Sequence, residues 1–204
     1  LARGRLNLIL DCRDVDPARL VEEVGAARMG EEVLLLDTAS ELPRLRELAG
    51  SAIRLGARWS ADIPVAEWLA AFRPVVLVAD VSDELTPVVA RAAHAAGALL
   101  LASCVGSGRD QPSGWADAQA AGADWVETEH PEQLLARELL ARGRDPARIT
   151  RMALHRGASR YAPENTLAAF DLAPALGANL IEFDVRSSAD GAHFLLHDSR
   201  LDRT

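Results

Sequence analysis

Apolar runs of strand length alternate along this chain with longer helix-like stretches, and that alternation constrains the fold more than any other feature. The runs fall at 6–10, 33–36, 53–56, 75–79, 98–102 and 125–126, and helical stretches such as 17–27, 87–96 and 131–141 lie between them. Parallel strands must be joined by a crossover of a dozen or more residues, most often a helix. The rhythm therefore predicts βα units around a parallel sheet. Gly97 and Gly122 stand just ahead of strands, where a chain leaves a helix through a left-handed residue. Further runs follow at 152–155, 180–185 and 194–196, with a capped helical stretch at 166–176 between the first two. Residues 142–150, rich in Arg, Asp and Pro, read as a linker between a first part, 1–141, and a second, 151–204.

With 204 residues, 49% of them hydrophobic, the chain can bury one substantial core but not two. A net charge of -8 disfavours nucleic acid and anionic membrane surfaces, which attract clustered cations. No run approaches the roughly 18 apolar residues that span a bilayer, and no signal peptide is visible, so a cytoplasmic location is the default, although the chain looks truncated at both ends. All 22 basic residues are Arg; the missing lysine excludes Schiff-base chemistry by that residue. Cys12 and Cys104 have neither metal-ligand spacing nor a disulfide framework around them and read as reduced, semi-buried thiols.

Polar clusters of catalytic type recur beside the strand-like runs of the second part. In order they are His155-Arg156-Gly157, Pro163-Glu164-Asn165-Thr166, Glu182-Phe183-Asp184 and, after an Asp190-Gly191 turn, His197-Asp198. Strand alternation puts Glu182 and Asp184 on one face and Ile181, Phe183 and Val185 on the other. Two inward carboxylates repel unless a cation lies between them, a pattern suited to Mg²⁺ or Ca²⁺. Arg156 is a planar, permanently charged fork suited to a phosphate oxygen. Glu164 reads as a bonding partner behind the site, and Asn165 as a cap for the helix that starts at Thr166. His193 is an inward-facing alternate of His197 by strand period, whereas His94 and His130 read as surface or packing residues. Trp59, Trp68, Trp115 and Trp125 could wall a substrate site but more simply belong to the core.

Taken in order, and ending in Leu201-Asp202-Arg203-Thr204, these motifs make residues 151–204 resemble the amino-terminal third of the glycerophosphodiester phosphodiesterase family. The resemblance implies a (β/α)8 TIM-type barrel and a small-molecule glycerophosphodiester substrate, cleaved to an alcohol and glycerol 3-phosphate. It further implies His155 and His197 as a general acid/base pair, Arg156 on the phosphate, and Glu182 and Asp184 as ligands of a divalent cation, Mg²⁺ or Ca²⁺. Residues 1–141 resemble the rest of that barrel more weakly, with Gly122 to Pro131 similar to the family's closing segment. The strands would then occur in permuted order, four to eight and then one to three, with the last helix missing. Because strand eight of such a barrel neighbours strand one, closure remains possible, with the His197 strand expected to pair with the strand at Leu6. A circular permutation and a slice through two tandem barrels both give this order.

The first part also departs from the family pattern. The family's fourth strand carries N-x-E-x-K, a third metal carboxylate and a lysine; aligned on Asn7, those positions here are Ile9 and Asp11. Asp11 shares a strand face with Ile9 and is a possible substitute metal ligand. The family's W-T-V-N is degraded to Ala102-Ser103-Cys104-Val105. Two rival expectations stand beside hydrolysis. One is a catalytically incomplete junction fragment whose first barrel is a structural or binding module. The other is a phospholipase D-like or phosphoinositide phosphodiesterase on the same barrel, against which P-E-N-T and L-D-R-T argue.

Overall fold

The computed structural model describes residues 7–13, 15–82, 84–142 and 151–202. Eight strands follow one another around a barrel: β1 (Asn7–Asp11), β2 (Val33–Asp37), β3 (Arg54–Arg58), β4 (Val76–Asp80), β5 (Leu99–Ser103), β6 (Trp125–Thr128), β7 (Arg151–His155) and β8 (Leu180–Ser187). Each pairs in parallel with the next, and a parallel β1–β8 pair closes the ring. Between them lie α1 (Pro17–Ala26), α2 (Leu42–Ala49), α3 (Val65–Phe72), α4 (Pro87–Ala95), α5 (Pro112–Ala121), α6 (Pro131–Arg142) and α7 (Leu167–Leu172), the last extended by a 3-10 turn, Ala173–Leu176. This is the parallel βα arrangement that the alternation predicts and the (β/α)8 barrel that the family resemblance implies, with no helix after β8 among the described residues. Pro17, Pro87, Pro112 and Pro131 open their helices at the one position where a missing N–H costs nothing.

Strand alternation divides the core into two layers. Ile9, Leu34, Leu36, Val76, Val78, Leu101, Trp125, Ala153 and Leu180 pack together inside the barrel. Their neighbours, among them Leu10, Leu35, Leu77, Leu100, Leu154 and Ile181, face the helices in a larger cluster. Strands buried on both faces read as continuous apolar runs, which is why each of the first six was visible in the sequence. Phe170 of α7 lies 5.1 Å from Phe183 of β8, ring centre to ring centre, and fastens that helix to the sheet.

One expected pairing is corrected. The run before His197 was predicted to lie beside the strand at Leu6, but β8 takes that place, from Asn7 opposite Leu180 to Asp11 opposite Asp184. The run forms β9 (His193–Leu195), folded back antiparallel on β8 with Ser187 opposite His193. Residues 188–192 are too few for a parallel crossover, and they make a tight turn in which Gly191 N–H donates to Ser188 O and Ser188 N–H to Ala192 O. Barrel strands therefore number six before residue 142 and two after residue 150, in place of five and three. Most of the 142–150 linker lies outside the described residues. No helix of the described residues is long and apolar enough to cross a membrane.

Cys12 and Cys104 are both buried and unbridged. Burial, reinforced by nearby carboxylates, pushes both thiols well up from their ordinary range. Because the thiolate is the reactive species, the folded protein should react slowly with an aromatic disulfide reagent and release both thiols only on unfolding. Rapid titration of either thiol under native conditions would contradict that burial.

Candidate active site

The carboxyl ends of the strands form the mouth of the barrel, the face where this architecture places its chemistry. A cavity of about 330 Å³ opens there, lined by Asp11, Arg13, Arg58, Ser103, Glu127, His155, Arg156, Glu182, Asp184 and His197 together with apolar neighbours. A groove of about 600 Å³ continues from it over β1 to β4 and adds Asp37, Trp59 and Asp80. The histidines, arginine and carboxylates proposed from sequence thus line one cavity. Trp68, Trp115 and Trp125 are core residues, and only Trp59 reaches the groove.

Register assembles the carboxylates. Across the closing seam Ile9 stands opposite Glu182 and Asp11 opposite Asp184, so Asp11, Glu182 and Asp184 point into the mouth while Ile181, Phe183 and Val185 join the layer under the helices. All three acids are buried, and one oxygen of each lies within 4.8 Å of the others. Burial, followed by repulsion from Glu127, Asp184 and Asp11, holds the Glu182 carboxyl well above the usual range. Three crowded oxygen donors of this kind fit a hard divalent cation. Asp11 is also gripped by Arg13, whose Nε donates at 2.8 Å and Nη2 at 2.6 Å.

Both histidines are oriented by a carboxylate. His155, the last residue of β7, has Nδ1 3.1 Å from Glu129 Oε1, and its Nε2 faces Glu182 Oε2 at 4.0 Å. The bond to His155 holds Glu129 below the ordinary glutamate range. Glu129 is itself set by Asp110, which accepts from the Glu129 backbone N–H at 2.8 Å, from Trp115 Nε1–H at 2.8 Å, and from the Thr128 hydroxyl. His197 follows β9 and has Nδ1 2.6 Å from Asp198 Oδ1, while Arg186 Nε–H fixes its backbone carbonyl at 2.9 Å. In each imidazole the carboxylate favours a proton on Nδ1 and turns Nε2 outward. His193 does not join them: its Nδ1 is 2.8 Å from Glu23 Oε2 on α1, because the antiparallel β9 aims it at that helix.

The loop after β7 places Arg156 and Asn165 in the left-handed region, at φ 56° and 57°. Asn165 N–H donates to Arg156 O at 3.1 Å, locking the two strained residues together. Arg156 lines the cavity, but its Nη1 is bound to Glu164 at 3.0 and 3.2 Å and its Nε lies 3.3 Å from Asp184 Oδ2. Its backbone N–H donates to Glu182 Oε2 at 3.2 Å. Asn165 is not the helix cap: Thr166 takes that role, its hydroxyl accepting from Ala169 N–H. Asn165 instead grips Asp184, donating from Nδ2 at 3.0 Å and accepting from the Asp184 N–H at 3.2 Å. Gly157, at φ 77°, lies against Phe170 and Ala169 so closely that any side chain would collide with α7.

Sequence reasoning passed over Arg13, Glu127 and Glu129. Glu127 of β6 is buried beside His155 and Glu182, with donor atoms of the three within 4.8 Å of one another. The available signal was the polar triplet Glu127-Thr128-Glu129 that closes the apolar run of β6.

The architecture has relatives among solved structures. The chain aligns with a truncated 3-deoxy-D-arabino-heptulosonate 7-phosphate synthase from Thermotoga maritima over 93% of its own length and 78% of that chain, with a TM-score of 0.62 and 12% identity. It aligns with the fructose-bisphosphate aldolase of Campylobacter jejuni over 90% and 72%, with a TM-score of 0.59 and 13% identity. At such identities the likeness defines the fold alone, a (β/α)8 barrel. A more particular match is confined to the end of the chain: residues 155–204 fit the Glycerophosphoryl diester phosphodiesterase family. The glycerophosphodiester phosphodiesterase of Caldanaerobacter subterraneus subsp. tengcongensis is 52% identical over 50 residues, 24% of this chain and 21% of that protein. Glycerophosphodiester phosphodiesterase 1 of Bos taurus is 54% identical over 50 residues, 24% of this chain and 15% of that protein. The chain thus spans about a fifth of the length of the curated relatives it matches.

Proposed function

We propose that the barrel hydrolyses glycerophosphodiesters, such as glycerophosphocholine, to an alcohol and glycerol 3-phosphate. One observation carries this reading: Asp11, Glu182 and Asp184 converge across the β1–β8 seam in the cavity that holds His155 and His197. One imidazole takes the proton of the attacking water, or of a glycerol hydroxyl whose cyclic phosphate product is then opened by water to glycerol 3-phosphate, and the other protonates the departing alkoxide. Glu129 and Asp198 each engage the Nδ1 edge of one ring and leave Nε2 for the proton transfer. Arg156 and Arg13, which line the same cavity, position the phosphate. A divalent cation, Mg²⁺ or Ca²⁺, held by the three carboxylates would supply positive charge against the phosphate oxygens. In this reading residues 1–141 serve as the carboxy-terminal half of the family's barrel, placed ahead of residues 151–204, and Asp11 replaces the carboxylate missing at Ile9.

The grip of Arg13 on Asp11 favours a second reading, in which the arginine stands where a cation would and the chain is a catalytically incomplete junction piece. Release of glycerol 3-phosphate from glycerophosphocholine by the 204-residue chain, in Mg²⁺ or Ca²⁺ and in EDTA, separates the two. Cation-dependent turnover supports hydrolysis; a folded chain without turnover supports the incomplete site. A parallel panel of phosphatidylcholine and phosphatidylinositol would expose a phospholipase D-like or phosphoinositide preference.

A further inference from the structure

We propose that Glu127, His155 and Glu182 form a second cation site, joined to the Asp11, Glu182 and Asp184 cluster through Glu182, that takes a transition-metal divalent ion such as Zn²⁺. Glu127 is 3% exposed, and its side chain lines the cavity. Among the described residues none donates a hydrogen bond to that side chain, whereas Asp11 has Arg13, Asp184 has Asn165 and Glu182 has the Arg156 backbone. A buried carboxylate aimed into a cavity without a donor needs positive charge from the cavity itself. His155 supplies the second half of the pattern. Its Nδ1 is occupied by Glu129 and its Nε2 lies on the Glu182 side, the arrangement in which a carboxylate behind the ring readies the far nitrogen for a metal.

The donor atoms of the three residues lie within 4.8 Å of one another, a span that small rotations close onto an ion with bonds of about 2.0–2.2 Å. The two clusters differ in chemistry. Three oxygens suit Mg²⁺ or Ca²⁺, whereas an imidazole with two carboxylates suits Zn²⁺. A zinc ion held here occupies the lone pair of His155 Nε2. Resting on the reading of His155 as an acid/base group, zinc therefore suppresses hydrolysis that Mg²⁺ or Ca²⁺ supports.

Calorimetric titration of the full chain with ZnCl₂ alone tests the site without reference to turnover. Glu127→Gln should weaken zinc binding about tenfold or more while Mg²⁺ binding stays unchanged, and Asp11→Asn should do the reverse. Zinc should also shift the ¹⁵N resonance of His155 Nε2 in the unmutated protein, a measurement that needs no variant to fold. Equal zinc affinity in Glu127→Gln, or an imidazole undisturbed by zinc, would overturn the proposal. These readouts are independent of activity: absent turnover with intact zinc binding would sink the hydrolase reading alone, and turnover with no zinc at His155 would sink only the second site.

Discussion

Alanine at His155 or at His197 is expected to lower cation-dependent release of glycerol 3-phosphate by about 10²- to 10⁴-fold, the usual contribution of a positioned acid or base. Both rings line the same cavity, and each has a carboxylate at Nδ1, which leaves its other nitrogen for the proposed proton transfer. The loss should fall on turnover with the fold preserved. The His197 side chain is 41% exposed, and its removal leaves no packed hole. His155 is more enclosed, at 14%, so its variant should be checked by circular dichroism and thermal melting. Variants that fold normally and keep activity within tenfold of the parent would remove the histidines from the mechanism.

Glu182→Gln should produce opposite effects on stability and on cation response. A carboxyl whose pKa is raised on folding opposes folding above its ordinary value, and the cost is relieved as pH falls from the raised value back toward the ordinary one. Burial and three neighbouring acids put Glu182 in that position. In EDTA near neutral pH the glutamine variant should therefore melt above the parent. The parent should in turn gain from its cation: at one hundred times Kd, about 2.7 kcal/mol, roughly 5–10 °C in Tm for a chain of this size. The variant should lose most of that gain, because the replaced carboxylate is common to both groups of donors. Differential scanning calorimetry with Mg²⁺, Ca²⁺ and EDTA measures both effects. A variant that melts lower in EDTA, or responds to cations as the parent does, would count against a cation at this cluster.

The parts of this structure that were legible in the sequence are those with local signatures. Strands buried on both faces announce themselves as apolar runs, and the two-residue period of Glu182-Phe183-Asp184 separates inward acids from outward hydrophobes. Asp11 was reachable because it shares a strand face with Ile9. The expected strand pairing failed at β9 because an apolar run does not say which edge it joins; the length of the turn at 188–192 decides that. Glu127 and Glu129 carried only the weak signal of a polar triplet, since a polar residue at a strand end is ordinary until ring closure brings β6, β7 and β8 side by side. The roles of Arg156 and Asn165 depend on a backbone turned to positive φ, which no pattern of residue types encodes.

The seam between β1 and β8 has a consequence for folding. Asp11 and Asp184 come from nearly opposite ends of the described chain and meet only when the first and last barrel strands pair. Such a contact carries a large loop-closure cost and forms after the local βα units. An intermediate with most of its helices and strands in place would still lack the full carboxylate cluster. During refolding, high-affinity cation uptake should therefore trail the recovery of helical signal, and the bound ion would act as a clasp on a ring already shut.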